Sequence, residues 1–147
     1  MKIAIGNDHT ATQFKQEIVD HIKSKDDIEL SDLCPIDSLG FDYPEYALRV
    51  SKAVADGVCD MGILLCGTGA GMNMAANKVR GIRAVVCSDT YTAKLSRMHN
   101  DANVLCLGAR VVGSELAKSI VDAFLEAKFE GGRHQARVEQ IMVVEKS

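Results

Sequence analysis

The chain has little of what several classes of protein require. No apolar stretch approaches the roughly 20 residues of a membrane-spanning helix. The start, Met1-Lys2-Ile3-Ala4-Ile5-Gly6, has one basic residue and an apolar run too short for a secretory signal, so it reads as a first strand. Positive charge is not in excess. Seventeen Lys and Arg face 20 Asp and Glu, a net charge of −3, which argues against a nucleic-acid-binding surface as the main function. Five cysteines is an odd number, and no pair has zinc-ligand spacing. Reduced thiols in a cytoplasmic protein are the simplest account. No repeat, linker or low-complexity tract interrupts the 147 residues, so one domain is expected over 1–147. That length buries roughly 70% of the unfolded chain's surface without a disulfide or metal.

What is present is a regular alternation of apolar runs and helical patterns, which predicts an α/β protein with a mostly parallel, Rossmann-like sheet of five strands. The expected strands are Lys2–Gly6, Ile28–Leu33, Met61–Leu65, Ile82–Cys87 and Val104–Leu107. Helices are expected from about Thr12, with Phe14, Ile18 and Ile22 inward, and from Pro44, with Ala47, Val50 and Val54 inward, ending near Gly57. Another follows through Met72, Ala75 and Ala76, and one begins after Asp89, a good cap. Ser114–Ala127 presents Leu116, Ile120, Val121 and Phe124 on its apolar face, and Arg133–Val144 reads as a terminal helix. Cys34–Phe41, with Pro35, Ser38 and Gly40, reads as a loop.

Ligands of such sheets bind at the carboxyl ends of the strands. The most informative sequence lies at one of those ends: Cys66-Gly67-Thr68-Gly69-Ala70-Gly71, directly after the apolar run Met61–Leu65. A glycine turn between strand and helix presents several backbone N–H groups to one point. It is not a nucleotide P-loop, because no Lys-Ser or Lys-Thr follows the last glycine, and it is one residue short of a dinucleotide fingerprint. Two readings remain from the turn alone: a tight turn without a ligand, and a cradle for an oxyanion with Cys66 as base or nucleophile. A free thiol titrates at about pH 8.5, and a helix N-terminus lowers that. Cys87 and Cys106 fall in apolar strands and read as inert core; Cys34 and Cys59 fall in loops with no evident partner.

Other polar residues also fall at strand ends: Asp8 and His9 after the first, Gly108 and Arg110 after the fifth. His21 reads as a surface residue, and His134 is open. His99 and Asn100 come just before the fifth strand, away from that rim, so they reach it from a second subunit or a loop that folds back. His99 suits either catalysis or a helix C-terminus favoured by the dipole. Arg133 and Arg137 share a helix face, which fits either a phosphate, bound in bidentate fashion, or a solvated surface.

Together these residues carry a resemblance over essentially the whole chain. The sequence resembles the type B ribose-5-phosphate isomerase family, which includes allose-6-phosphate and galactose-6-phosphate isomerases. The match rests on Asp8-His9, Asp42-Tyr43-Pro44, Cys66-Gly67-Thr68-Gly69-x-Gly71, Asn77-Lys78-Val79, His99-Asn100-Asp101-Ala102-Asn103, Leu107-Gly108-Ala109-Arg110 and Gly131-Gly132-Arg133-His134-x-x-Arg137.

The resemblance implies a three-layer α/β/α fold and a homodimer, possibly paired into a tetramer, with active sites at the subunit interface. The last helix, about 133–144, would complete the site or the interface. The implied reaction interconverts ribose 5-phosphate and ribulose 5-phosphate. Cys66 is then the base that moves a proton between C1 and C2, and the amides of Gly67, Thr68, Gly69, Ala70 and Gly71 hold the enediolate. Thr68 assists, and His99 opens the sugar ring. Asp8, Tyr43 and Asn100 bind hydroxyls or the enediolate, while His9, Arg110, Arg133 and Arg137 hold the phosphate. No metal or organic cofactor is implied, and neither nucleic acid nor membrane is an expected partner. The alternatives are a hexose 6-phosphate such as allose 6-phosphate as substrate, or a phosphosugar sensor without turnover. Retention of Cys66 and His99 speaks against the sensor. Asn7, Thr10-Ala11 and Leu33-Cys34-Pro35 depart from common family residues near the expected sugar, and bear on sugar preference.

Overall fold

The computed structural model describes residues 1–35, 40 and 42–147. Its five strands, β1 (Lys2–Asn7), β2 (Glu29–Asp32), β3 (Met61–Cys66), β4 (Ala84–Val86) and β5 (Val104–Gly108), form one parallel sheet in the order β2-β1-β3-β5-β4. The helices are α1 (Thr12–Lys23), α2 (Tyr43–Ala55), α3 (Ala70–Ala76), α4 (Thr90–Asn100), α5 (Ser114–Glu126) and α6 (Arg133–Val143). Residues of the central strands alternate between two cores, as the period of two requires. Ile3, Ile5, Ile63, Leu65, Leu105 and Leu107 pack on one face with Ile18, Ile22, Ala93, Ile120 and Phe124 of α1, α4 and α5. Ala4, Leu64, Cys66, Val104 and Cys106 pack on the other with Tyr46, Val50, Met72 and Ala76 of α2 and α3. Burial on both faces is why these strands read as continuous apolar runs. The expected three-layer α/β/α architecture and the five strands are therefore observed.

The order of the strands places the functional crevice. From β1 the chain crosses to β2 on one side, then returns past β1 to β3 and continues outward on the other. The carboxyl ends of β1 and β3 thus flank the point where the winding reverses, and ligands collect at such points. Next to it, β5 inserts between β3 and β4.

Several expectations are corrected. The fourth strand is Ala84–Val86, not Ile82–Cys87. The Asn103 side chain explains the late start: it accepts from the Arg83 N–H at 2.8 Å and donates to the Gly81 carbonyl at 2.9 Å, in place of a ladder. The second strand is likewise shorter, Glu29–Asp32. Leu116 is 43% exposed because the inward stripe of α5 runs through Ala117, Ile120, Val121 and Phe124. His21 is not a free surface residue: its Nε2 lies 2.8 Å from Asp122 Oδ1 on α5. Cys34 and Cys59 are buried in the α2/α3 core despite lying outside regular elements. Of the expected loop Cys34–Phe41, residues 36–39 and 41 lie outside the described residues. No described helix is long and apolar enough to cross a membrane.

Candidate active site

The glycine turn is fixed by its backbone. Cys66 ends β3 opposite Gly108, and its Sγ accepts a hydrogen bond from the Gly69 N–H at 3.1 Å. Gly69 has φ +83°, and a Cβ there would sit 2.9 Å from Val86 Cγ2 and 3.1 Å from the Leu107 backbone. Only glycine fits that conformation and contact. Gly108 is equally confined, since a Cβ would lie 2.7 Å from the Thr68 carbonyl group. Two further bonds tie the turn to β5: Ala109 N–H to the Cys66 carbonyl at 2.8 Å, and Arg110 N–H to the Gly67 carbonyl at 3.0 Å.

Within this turn the amides are not equivalent. Gly69 donates to the Cys66 sulfur, and Ala70 donates to Thr68 Oγ1 at 3.3 Å. The N–H groups of Gly67, Thr68 and Gly71 have no hydrogen-bond acceptor among the described residues. They are the donors of the turn left for an anion.

Four predicted residues gather around it. The Tyr43 ring lies against Gly71, with Cε2 2.7 Å from where a Cβ would be. Arg110 Nη1 and Thr10 Oγ1 lie 3.6 and 3.8 Å from the equivalent point at Gly67. Asp8 donates its N–H to the Leu65 carbonyl at 3.1 Å, and its Oδ1 accepts from the Thr10 N–H at 2.9 Å and from the Thr10 hydroxyl. His9 follows, exposed, in a short 3₁₀ turn (His9–Ala11). Asn7 is fully buried and donates from Nδ2 to the Asp8 carbonyl at 2.7 Å. Asp8, His9, Tyr43, Cys66, Thr68 and Arg110 thus occupy one rim of the sheet.

The remaining predicted residues do not. Helix α4 is capped by Asp89 beyond the carboxyl end of β4 and runs back along the sheet. It ends beside the start of β3, where the Asn103 carbonyl accepts from the Gly62 N–H at 2.9 Å. His99 and Asn100 therefore lie at the opposite rim, separated from Cys66 by the length of β3, roughly 13 Å for four residues of strand. Arg133 and Arg137 lie on α6, which packs on this end of α4 through the Glu130 N–H, 3.0 Å from the Met98 carbonyl. Both arginines are exposed, with no ion pair among the described residues.

Two residues at this far rim lacked an assignment from sequence. The His134 ring stacks on His99, with centroids 4.2 Å apart and planes inclined by 8°. Glu130 reaches toward both rings, its oxygens 3.9 Å from His99 Nε2 and 3.5 Å from His134 Nε2. His134 is buried, and its pKa is lowered from the usual value by burial, then by His99 and the Arg133 guanidinium. The i, i+4 spacing of Glu130 and His134 is a signal in the sequence; the stack on His99 is not.

These three side chains bring donor atoms within 4.8 Å of one another. The face-to-face stack keeps the two imidazole lone pairs in nearly parallel planes. They do not converge on one centre at the about 2.0–2.1 Å of a zinc–imidazole bond.

Among the other thiols, burial raises the pKa of Cys34, Cys59 and Cys106, and pushes Cys87 up to about 12. These four remain neutral, as expected for Cys87 and Cys106. A groove of about 820 Å³ runs beneath α6, lined by Ile82, Val85, Ala102, Ile141 and Met142 among others. None of the glycine-turn residues lines it, so cavity size does not locate the chemistry.

The chain is similar to known proteins over nearly its whole length. Residues 3–141 match the model of the ribose/galactose isomerase family. The chain is 57% identical to ribose-5-phosphate isomerase B of Escherichia coli, covering 98% of this chain and 96% of that protein. It is 47% identical to D-erythrulose-4-phosphate isomerase of Pectobacterium atrosepticum, over 96% of this chain and 93% of that one. The solved structure of ribose-5-phosphate isomerase B from Clostridium thermocellum superposes with a TM-score of 0.94 at 51% identity, covering 99% and 98% of the two chains. The glycine turn with its cysteine stands within this full-length match, and the chain belongs to the ribose/galactose isomerase family, a family of isomerase enzymes.

Proposed function

We propose that this protein interconverts ribose 5-phosphate and ribulose 5-phosphate, in a homodimer where each site joins the glycine-turn rim of one subunit to the His99 rim of the other. The observation that carries this reading is the Cys66 sulfur, held on the Gly69 N–H in a turn where the Gly67, Thr68 and Gly71 amides have no acceptor among the described residues. The substrate is supported by the 57% identity to a ribose-5-phosphate isomerase.

The isomerisation moves one proton from C2 to C1 and one from O2 to O1, with no atom lost. The C2 proton is weakly acidic, so a base alone is insufficient and the enediolate must be stabilised as it forms. Cys66 takes the proton from C2 and returns it to C1. The free N–H groups of Gly67, Thr68 and Gly71 face the developing negative charge, while Ala70 orients the Thr68 hydroxyl. Tyr43 and Asp8 bind the sugar hydroxyls from the same rim.

From the second subunit come His99, which opens the furanose ring, and Asn100. Arg133 and Arg137 come with them on the last helix and grip the phosphate together with His9 and Arg110. The phosphate lies away from the reacting carbons, so its binding energy positions the sugar for proton transfer.

A second substrate, a sugar phosphate of another length, is favoured by the name of the Pectobacterium relative; allose 6-phosphate is the six-carbon counterpart. A coupled assay of ribose 5-phosphate, D-erythrulose 4-phosphate and allose 6-phosphate decides among them. The highest kcat/KM is expected with ribose 5-phosphate, and a higher value with either of the others overturns the substrate assignment.

A further inference from the structure

We propose that His134 and Glu130 are positioning residues for His99, holding its ring in the plane from which it opens the cyclic sugar. This rests on the ring-opening role given to His99 above.

The geometry carries the proposal. His99 lies in the last turn of α4, with its side chain about a third exposed, and such a side chain has several rotamers open to it. His134 is buried and anchored in α6, so its flat face at 4.2 Å leaves the His99 ring one plane to occupy. Glu130 biases the rotation within that plane by its charge, 3.9 Å from His99 Nε2 and so beyond hydrogen-bond reach. Its backbone N–H is bonded to the Met98 carbonyl, next to His99 in sequence, and its carboxylate faces the His99 Nε2 edge. Two cationic imidazoles in this stack would repel, and one carboxylate offsets one charge. Burial, His99 and the Arg133 guanidinium lower the His134 pKa against the pull of Glu130, whose carboxylate lies between the two rings.

The step that depends on this orientation is specific. His99 gives a proton to the ring oxygen as the C1–O bond breaks. It recovers one from the C1 hydroxyl as the C1 carbonyl forms, ending in the state in which it began. Proton transfer of this kind needs the donor within hydrogen-bond reach of both oxygens.

The test exploits spontaneous ring opening. An enzyme that opens the ring works at a rate proportional to its concentration. One that has lost the step uses only the free aldehyde, and its rate levels off as enzyme is added, at the spontaneous opening rate of ribose 5-phosphate. A general loss of folded enzyme lowers the slope without producing that ceiling.

Rates are therefore measured against enzyme concentration for His99→Asn, His134→Asn, His134→Phe and Glu130→Gln. His134→Asn and Glu130→Gln are expected to lose about tenfold or more at low enzyme and to level off at the ceiling shown by His99→Asn. His134→Phe, which keeps a flat ring, recovers part of the loss. A linear response of both His134→Asn and Glu130→Gln, beside a ceiling for His99→Asn, overturns the proposal. A linear response of His99→Asn overturns instead the ring-opening role on which it rests. Glu130 is on the surface, so its variant reports even where a change at buried His134 impairs folding.

Discussion

Within one chain the two rims of the sheet are built by different means. The glycine-turn rim is made by backbone: strand ends in register, a left-handed glycine, and amides aimed at a sulfur and a hydroxyl. The His99 rim is made by side chains on the ends of two helices, a stacked pair of rings, and two arginines without ionic partners among the described residues. Backbone at strand ends holds its amides in place without spending side-chain entropy, which suits the proton transfer and the oxyanion of the proposed reaction. Exposed arginines on a terminal helix suit an anionic ligand that arrives from solvent. The difference teaches that each rim offers what the other lacks, a thiol with free amides against imidazoles with free cations, which is what the proposed shared site requires.

The largest effect is expected at the backbone rim. Cys66→Ala removes the base and lowers kcat by about 10²–10⁴-fold, while calorimetry with ribose 5-phosphate still detects binding. Unchanged turnover would remove Cys66 from the mechanism. Next is Gly108→Ala, whose Cβ would meet the Thr68 backbone at 2.7 Å. Overpacking against backbone costs about 1–3 kcal/mol, read as a lower denaturation midpoint, and the displaced turn loses activity even where the protein is folded. Normal stability with normal activity would contradict the close fit described for the turn.

Smaller effects are expected at the side-chain rim. Arg137→Ala removes charge-assisted hydrogen bonds of about 1.5–3 kcal/mol and weakens inorganic phosphate and substrate alike. A change in turnover alone would break the phosphate assignment. The smallest effect concerns stability. The pKa of His134 is lowered in the fold, so between its unfolded and folded values the unfolded chain binds more protons. Stability is then fully present above the unfolded value, about 6.5, and falls as the pH drops below it. His134→Phe should lose less stability than the parent between pH 7 and 5 in denaturant titrations. An identical loss would mean that His134 titrates in the fold as it does in the open chain.

The backbone rim was the more legible of the two. A cysteine and three glycines directly after an apolar run state a strand end, a turn and a row of amides in consecutive letters. The apolar runs likewise announced the strands, because a sheet buried on both faces needs them. Contacts across the chain were hidden. The sequence does not show that β5 inserts between β3 and β4, or that the Asn103 side chain delays β4. Nor does it show His134 lying on His99, thirty-five positions away and on a different helix. Leu116 misled because a helical stripe about 100° wide has edges, and Leu116 lies outside the one that runs through Ala117, Ile120, Val121 and Phe124.

The shared site is the central claim, and subunit complementation tests it most directly. Purified Cys66→Ala and His99→Asn proteins, the first nearly inactive and the second limited by spontaneous ring opening, are mixed at an enzyme concentration where that ceiling binds and allowed to exchange subunits. In a two-fold dimer each mixed pair then has one site with both an intact Cys66 and an intact His99, so random exchange restores about a quarter of full activity. No recovery after exchange has been verified by mass spectrometry would contradict a site built from the two rims.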